Sequence, residues 1–392
     1  MIKKVKISNF RSIEKLEIKI APLTVLYGPA ASGKSSFLYS FLVLKNFIIN
    51  PNQQSDGFFN LGFMNLGGFD NCVFNHDKER TVDIFISIDD GEYGISLKKN
   101  SADIFLNSEI IKMQAKVSIP YGLNQNFPFM IKEDEQEYTV NWNGISSSVS
   151  PKQPIAETQN KATEFSIKLN KLPDYLKGKI DIAPHRRGFF LPNYSPAPVS
   201  PNPTSDVEVA SIIINDPDLP PKISVDLEKI FNRDFRLYIP PGIATAFFQT
   251  TDKSSRTPVY LVNDGFGVNQ VVYLLAKIYR PEIKTILIEE PEVHLHPSII
   301  RSLVKTFCSI IKEEEKQIIL TTHSEVFVSS LLSAVRRKDI KPEDVKCYLV
   351  KKEKRSTKFE EQKINEKGQI EGGLSSFVEG ELEDLKVFFE KS

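Results

Sequence analysis

The segment from Gly28 to Ser35 has the residue types and spacing that can bind a triphosphate. It is Gly-Pro-Ala-Ala-Ser-Gly-Lys-Ser, between a predicted strand at 23–27 and a predicted helix at 33–50. Glycines let backbone N–H groups converge on phosphate, and the helix dipole adds attraction. Lys34 would meet the β- and γ-phosphates, and Ser35 would ligate Mg²⁺. A glycine turn with a solvated lysine is the alternative, which the strand–loop–helix context disfavours. The residues expected to contact nucleotide here are Gly28, Pro29, Ala30, Ala31, Ser32, Gly33, Lys34, Ser35 and Ser36.

A pair of acids follows another predicted strand. The apolar run Thr285 to Ile288 ends in Glu289 and Glu290. Ligands of parallel α/β sheets bind at the carboxyl ends of the strands, so this strand would deliver the acids to a ligand. Glu289 would hold Mg²⁺ through water, and Glu290 would orient and deprotonate the attacking water. Two solvated acids at a strand end are the alternative, but a phosphate loop needs such a partner.

The composition indicates a globular chain with more than one compact unit. Its 392 residues are 41% hydrophobic, which predicts two or three units. The 50 basic and 50 acidic residues cancel, so charge gives no argument for nucleic acid or membrane, and DNA stays open as a partner. The three cysteines are scattered, which indicates neither disulfides nor a zinc ribbon and favours a cytoplasmic location. The apolar stretch 37–49 is broken by Lys45 and is too short to span a membrane.

The elements that must position these residues are clearer at the two ends of the chain than in the middle. Alternating apolar residues predict β-hairpins over 82–97 and 138–149. The middle, about 100–235, has no clear period, and its proline-rich run at 192–203 predicts an exposed loop or linker. A helix is predicted over 379–390.

Four further motifs, in order with the phosphate loop, resemble the ABC-type ATPase head of the SMC, RecF and OLD group, often labelled an AAA-family ATPase. They match the opening of such heads, the signature motif, Walker B with the D-loop, and the switch histidine. These motifs are Asn9-Phe10-Arg11-Ser12, Asp264-Gly265-Phe266-Gly267-Val268-Asn269-Gln270, Glu289-Glu290-Pro291-Glu292-Val293-His294-Leu295-His296-Pro297 and Thr321-Thr322-His323-Ser324. A weaker match, Ala183 to Gly188, is similar to a Pro-x-Arg element of some relatives.

The resemblance implies an α/β fold, a P-loop NTPase of the ABC-ATPase head type. Such a head has a mixed sheet, an antiparallel β arm and a helical lobe that carries the signature. It would be discontinuous, formed by 1–100 and 236–392, with 101–235 as an inserted region of unclear fold. Too few residues follow His323 for an attached Toprim nuclease domain, so a nuclease would come from another chain.

The resemblance also implies a site shared by two chains. A homodimer would form on ATP binding, with each nucleotide between the phosphate loop of one chain and the signature of the other. Glycines before an apolar helix also predict an N-terminus that can face phosphate, although a plain turn before a helix is an equal alternative. The signature residues expected at the nucleotide are Gly265, Gly267 and Gln270.

The remaining roles implied by the resemblance belong to the chain that carries the phosphate loop. The expected catalytic residues are Glu290, His323 and Lys34, with His323 sensing the γ-phosphate. Arg11 would contact the nucleotide, and Mg²⁺ would be held by Ser35 and Glu289. The sequence departs from the group in having Ala30 and Ala31 in the loop, where Asn and Gly are usual, and Glu289 where Asp is usual.

Two other patterns have structural interpretations that we favour. His294 and His296, with His323, could bind a metal, but no carboxylate or cysteine at a usual ligand spacing lacks another assigned role. Aromatic pairs such as Phe247-Phe248 could stack on bases, but except around Arg186-Arg187 they lack interleaved basic residues, which favours core or interface packing. The expected function is therefore Mg²⁺-dependent ATP hydrolysis coupled to dimerisation, in DNA repair, maintenance or defence. The alternative is a nucleotide-gated scaffold with slow turnover that regulates a separate effector protein, such as a nuclease.

Overall fold

The structure is a computed structural model that describes residues 1–89 and 91–371. The predicted helix over 379–390 lies outside the described residues. The strands, in chain order, are β1 (Ile2–Phe10), β2 (Ile13–Lys19), β3 (Leu23–Tyr27), β4 (Val82–Ile88), β5 (Gly91–Leu97), β6 (Ser101–Ser108), β7 (Lys112–Ser118), β8 (Phe127–Glu133), β9 (Gln136–Trp142), β10 (Ser147–Pro151), β11 (Ile180–Ala183), β12 (Arg233–Tyr238), β13 (Phe247–Asp252), β14 (Pro258–Tyr260), β15 (Thr285–Glu289), β16 (Gln317–Thr322), β17 (Val345–Glu353) and β18 (Ser356–Glu361).

The helices connect and cover these strands. They are α1 (Lys34–Ile49), α2 (Ser55–Phe58), α3 (Phe69–Cys72), α4 (Ala156–Gly178), α5 (Asp206–Asn215), α6 (Leu219–Phe231), α7 (Phe266–Ile278), α8 (Pro297–Glu313) and α9 (Glu325–Arg336). Within the described ranges, no helix is both long enough and apolar enough to cross a bilayer.

A six-stranded mixed sheet forms the centre of the molecule, in the order β11-β15-β16-β3-β17-β18. Its first five strands are parallel, and β18 pairs antiparallel with β17. Every residue of β3, β15 and β16 is buried, because helices and a second sheet cover both faces, as parallel sheets require. The mostly apolar sequence of these strands, without alternation of apolar and polar residues, follows from burial of both faces.

Two hydrophobic cores lie on opposite faces of the mixed sheet. One contains α1 and α4 with the antiparallel sheet β2-β1-β4-β5-β6-β7, and the other contains α5 to α9. Alternate residues of β4 are buried, which matches an antiparallel sheet with one face on the core. The predicted α/β fold class, with its mixed sheet, antiparallel arm and helical lobe, is confirmed, as are the hairpins β4–β5 and β9–β10.

The middle of the chain contributes to both layers. Strands β6 and β7 continue the antiparallel sheet, and β11 forms an edge of the mixed sheet. The proline-rich run 192–203 has no helix or strand, but it is not a free linker: buried lysines of α1 and α7 donate to its carbonyl oxygens. The division into a head and an inserted region, 101–235, stays a prediction.

Candidate functional site

The candidate site lies where the carboxyl ends of five neighbouring parallel strands meet. The register aligns these ends, with Ala183 beside Ile288, Glu289 beside Thr321, and Tyr27 between Thr322 and Leu349. The residues just beyond β11, β15, β16 and β3, and at the end of β17, therefore face one edge. In strand order they are His185, Glu289 with Glu290, His323, the phosphate loop and Lys352.

The phosphate loop holds three residues in backbone conformations that favour glycine. Gly28 has φ 142°, and a Cβ there would lie 2.3 Å from the carbonyl oxygen of Val350. Gly33, at the N-terminus of α1, has φ 102°. Ala31 has φ 58°, a left-handed conformation in a residue that bears a side chain. The substitution noted in the sequence therefore stands at a strained position.

Lys34 is folded back against its own loop. Its Nζ donates to the carbonyl oxygens of Gly28 and Pro29, both at 2.8 Å. Burial lowers the pKa of the Lys34 ammonium, and the nearby carboxylates of Glu290 and Glu292 oppose that shift. The cation is thus already held at the centre of the loop.

A cavity of about 400 Å³ opens over the loop. Its lining includes Lys34, Ser35 and the rest of 30–36, together with Arg11, Ser12, Glu290 and Lys352. The cavity is consequently lined by three cationic side chains and one carboxylate, a balance suited to a polyphosphate. Neither Ser12 nor Lys352 was among the site residues predicted from sequence.

Glu289 is a buried carboxylate whose side chain receives only neutral donors. The Tyr39 hydroxyl donates to Oε1 at 2.9 Å, and the His185 backbone N–H donates to Oε2 at 3.3 Å. Burial raises the pKa of Tyr39, and the neighbouring Ser35 side chain opposes that shift. Within the described part of the chain, no cationic side chain forms an ion pair with Glu289.

These contacts suit a cation between Ser35 and Glu289. A buried carboxylate without a cationic partner is costly unless it binds a metal or a similar charge. No group of three His, Cys, Asp or Glu side chains in the described residues could hold an ion alone. Mg²⁺ would therefore take its remaining ligands from phosphate and water, as it commonly does at nucleotide sites.

The Glu290 carboxylate lies between two imidazoles. Its Oε2 is 3.2 Å from Nδ1 of His185, and its Oε1 is 3.3 Å from Nδ1 of His323. Glu290 has φ 44°, and its N–H donates to the Thr321 carbonyl oxygen at 2.9 Å. His323 thus stands beside the predicted carboxylate, and His185 is a neighbour that sequence reasoning did not place there.

Arg187 fixes the backbone of the acidic pair from behind. Its Nη1 donates to the carbonyl oxygen of Glu289 at 2.6 Å, and its Nη2 to that of Glu290 at 2.8 Å. Full burial lowers the pKa of Arg187 to about 10. The loop that carries His185 and Arg187 is held in turn by Asn269 of α7, whose amide bonds to both backbone groups of Phe189.

Glu292 is a second buried acid beside His323. Its Oε1 accepts from the Thr322 hydroxyl at 2.6 Å and from the His323 N–H at 3.2 Å. Its Oε2 has no hydrogen-bond partner among the described residues. Burial raises the pKa of Glu292.

The predicted signature residues lie outside the lining of this cavity. Gly265 precedes α7, and a Cβ on Gly265 would meet nothing within 4 Å. A Cβ on Gly267 would lie 2.9 Å from Leu295 and 3.0 Å from the His294 carbonyl oxygen. The side-chain oxygen of Gln270 is buried without a described hydrogen-bond partner. Gly267 therefore lets α7 pack on its own D-loop segment, a contact within one chain.

The histidines of the D-loop segment have structural contacts. His296 Nδ1 accepts a hydrogen bond from the Ser298 N–H at the start of α8. The His294 ring packs edge-on against the Phe266 ring, with 5.0 Å between the ring centroids. These contacts give both histidines a structural role.

Comparison with known proteins gives one family. The model of the family described as AAA ATPase domain matches residues 1–187 and 145–328, which together span most of the chain. No curated protein matches the chain.

Among solved structures, the chain is similar to SMC head domains. One is the SMC head domain from Thermotoga maritima, with 11% identity and a TM-score of 0.41, over 91% of this chain and 97% of that one. Another is an Smc head domain with an extended coiled coil, bound to the C-terminal domain of ScpA derived from Pyrococcus furiosus. It has 12% identity and a TM-score of 0.49, over 92% of this chain and 96% of that one.

Proposed function

Because this chain belongs to the AAA ATPase domain family, we propose that it binds ATP with Mg²⁺ and hydrolyses the bond between the β- and γ-phosphates. One observation carries the proposal: the phosphate loop and Glu290 line the same cavity. The first can hold a triphosphate, and the second can accept a proton from water at its terminal phosphate. Neither feature alone would indicate hydrolysis. Together they supply phosphate binding and a general base in one cavity.

Different residues of this chain would bind the phosphates, hold the metal and accept the proton. Lys34 exchanges its bonds to the Gly28 and Pro29 carbonyl oxygens for phosphate oxygens. Mg²⁺, held by Ser35 and Glu289, would neutralise charge on the phosphates. Glu290 orients the attacking water and takes its proton. With each ring protonated at Nδ1, His185 and His323 donate to the two oxygens of Glu290 and keep the carboxylate aimed at the cavity.

The second half of the proposal is a head-to-tail dimer that completes the site. Gly265 is the N-cap of α7, and a Cβ there would meet nothing within 4 Å; the exposed helix N-terminus could receive an anion from a second chain. The predicted roles of Gly267 and Gln270 at the partner's nucleotide belong to this dimer proposal. The process that the dimer serves is proposed to be DNA repair, maintenance or defence.

The direct test is Mg²⁺-dependent ATP turnover by the full chain, compared with Glu290→Gln. We expect turnover to fall at least about 100-fold with ATP affinity retained. Because ATP is then not consumed, light scattering after size exclusion should show a dimer. The matched control is Glu313→Gln, an exposed acid on α8. Equal turnover by wild type and Glu290→Gln would reject the proposal, and a monomer with bound ATP would reject the dimer.

A further inference from the structure

The sheet β12-β13-β14 has an aromatic outer face. Successive side chains of a strand point to opposite faces of the sheet, so neighbouring residues can differ in burial. Phe248 is buried in the core with Phe235, whereas Phe247 lies on the other face. Phe248 therefore packs in the core, whereas Phe247 packs only against rings on the outer face.

Phe247 is the centre of an aromatic strip of three rings. Its ring centroid lies 6.4 Å from that of Tyr238 and 5.5 Å from that of Tyr260. Tyr238 is directly opposite Phe247 in the sheet register, and Tyr260 is in the next row. Tyr238 is 47% exposed and Tyr260 is 39% exposed. Three adjoining rings on the outer face of a sheet offer consecutive stacking surfaces.

Cationic side chains border the aromatic strip on the same face. Arg236 pairs across the sheet with Gln249, which pairs with Tyr260. Beyond them lies a depression of about 550 Å³ whose lining includes Arg236, Lys253 and Arg256. Lys253 is bound to Glu228 and Asp234. Arg236 and Arg256 have no acidic partner in the described ranges, so they remain available to an external anion.

We propose that this face, formed by Tyr238, Phe247, Tyr260, Arg236 and Arg256, binds single-stranded nucleic acid. Aromatic rings that stack on bases, beside cations that track the backbone, are the combination that such strands require. A purely apolar protein partner would leave both arginines unpaired, and a polyanion pairs them. The balanced charge of the whole chain therefore conceals a local site. The proposal does not depend on ATP hydrolysis.

The test is fluorescence anisotropy with labelled single strands of thymidylate and of uridylate, about 16 nucleotides long, and a duplex of the same length. We expect single strands to bind more tightly than duplex, and the two single strands to show which sugar is preferred. Tyr238→Leu with Phe247→Leu keeps an apolar surface but removes stacking. It should weaken binding at least about fivefold.

A second variant examines the cations. Arg236→Gln with Arg256→Gln should lower the slope of log Kd against log salt by about 1.4. The matched control is Lys112→Gln with Lys116→Gln, two exposed lysines on β7 at the far edge of the antiparallel sheet. Circular dichroism verifies that each variant is folded. Unchanged affinity in the leucine variant, or no binding by wild type, would overturn the proposal. A change in oligomeric state with unchanged oligonucleotide affinity would assign the face to protein contact instead.

Discussion

Oε2 of Glu290 lies 3.2 Å from Nδ1 of His185, a residue 105 positions earlier in the chain. The contact exists because β11 and β15 are parallel neighbours whose carboxyl ends align. His323 approaches the other carboxylate oxygen from the end of β16. The proposed general base is consequently held from two sides by two loops.

The position of His185 predicts an effect on turnover rather than on nucleotide affinity. His185→Ala should lower kcat by roughly tenfold with KM nearly unchanged, because a misaligned base loses rate and not binding. His185→Asn, which retains a hydrogen-bond donor, should restore part of the loss. Arg186→Ala, at the exposed adjacent position, is the control. Steady-state kinetics measures all three, and equal changes in kcat for His185→Ala and Arg186→Ala would contradict the role.

The position of Lys352 in the cavity lining predicts an effect on nucleotide affinity rather than on turnover. It lines the cavity with Lys34 and Arg11, so Lys352→Ala should weaken ATP binding by roughly three- to tenfold through loss of one phosphate contact. Lys354→Ala, in the turn of the same hairpin, should leave affinity unchanged. Isothermal titration of ATP and AMP shows whether the effect needs the triphosphate. Equal affinities for wild type and Lys352→Ala would exclude the contact.

The strained loop position predicts a stabilising substitution. Ala31 has φ 58°, so Ala31→Gly should raise the free energy of unfolding by up to about 1 kcal/mol. Gly28→Ala should do the reverse, because its Cβ would lie 2.3 Å from the Val350 carbonyl oxygen. Denaturant titration without nucleotide measures both. A loss of stability in Ala31→Gly would show that the methyl contributes packing that outweighs the strain.

The signature glycines predict separable phenotypes. A bulky residue at Gly267 would collide with His294 and Leu295 of the same chain, so Gly267→Leu should lower the melting temperature as well as turnover. Gly265→Leu meets no such neighbour. If a second chain uses this helix N-terminus, Gly265→Leu should keep ATP binding and melting temperature but lose turnover. Full activity in Gly265→Leu would argue against the shared site.

Glu292 predicts a pH-dependent cost to stability. Its pKa is raised by burial, so folding favours its protonated form, and stability is lost as pH rises through that raised value. Glu292→Gln keeps an acceptor for the Thr322 hydroxyl and cannot ionise. Its stability advantage over wild type should therefore grow as the pH rises above the ordinary pKa of a glutamate and through the raised pKa of Glu292. Melting curves measure this, with Glu313→Gln as control, and a pH-independent difference would contradict the explanation.

Much of the fold could be predicted because the central strands β3, β15 and β16 are short, mostly apolar and flanked by clear turns. Local sequence patterns predict both the secondary structure and the functional residues of the phosphate loop, β15 and β16. Lys34, Glu290 and His323 could therefore be predicted to lie at one sheet edge. The helix α4, with its mixed surface, and β11, only four residues long, have weak periodicity. They obtain their structure from packing, which a local pattern does not contain.

The sequence by itself determined the loop that we expect to bind phosphate and the strand that carries the two acids, because the residues of each motif are close together along the chain. Only the tertiary structure decided that His185 and Lys352 complete that edge, because parallel register brings together strand ends far apart in sequence. It also decided that Phe247 lies on the same outer face as Arg236, since the two residues belong to different strands whose register is set by pairing. Motifs whose residues are close in sequence can therefore be predicted from the sequence. The residues that surround each motif depend on pairing between strands that are distant in sequence.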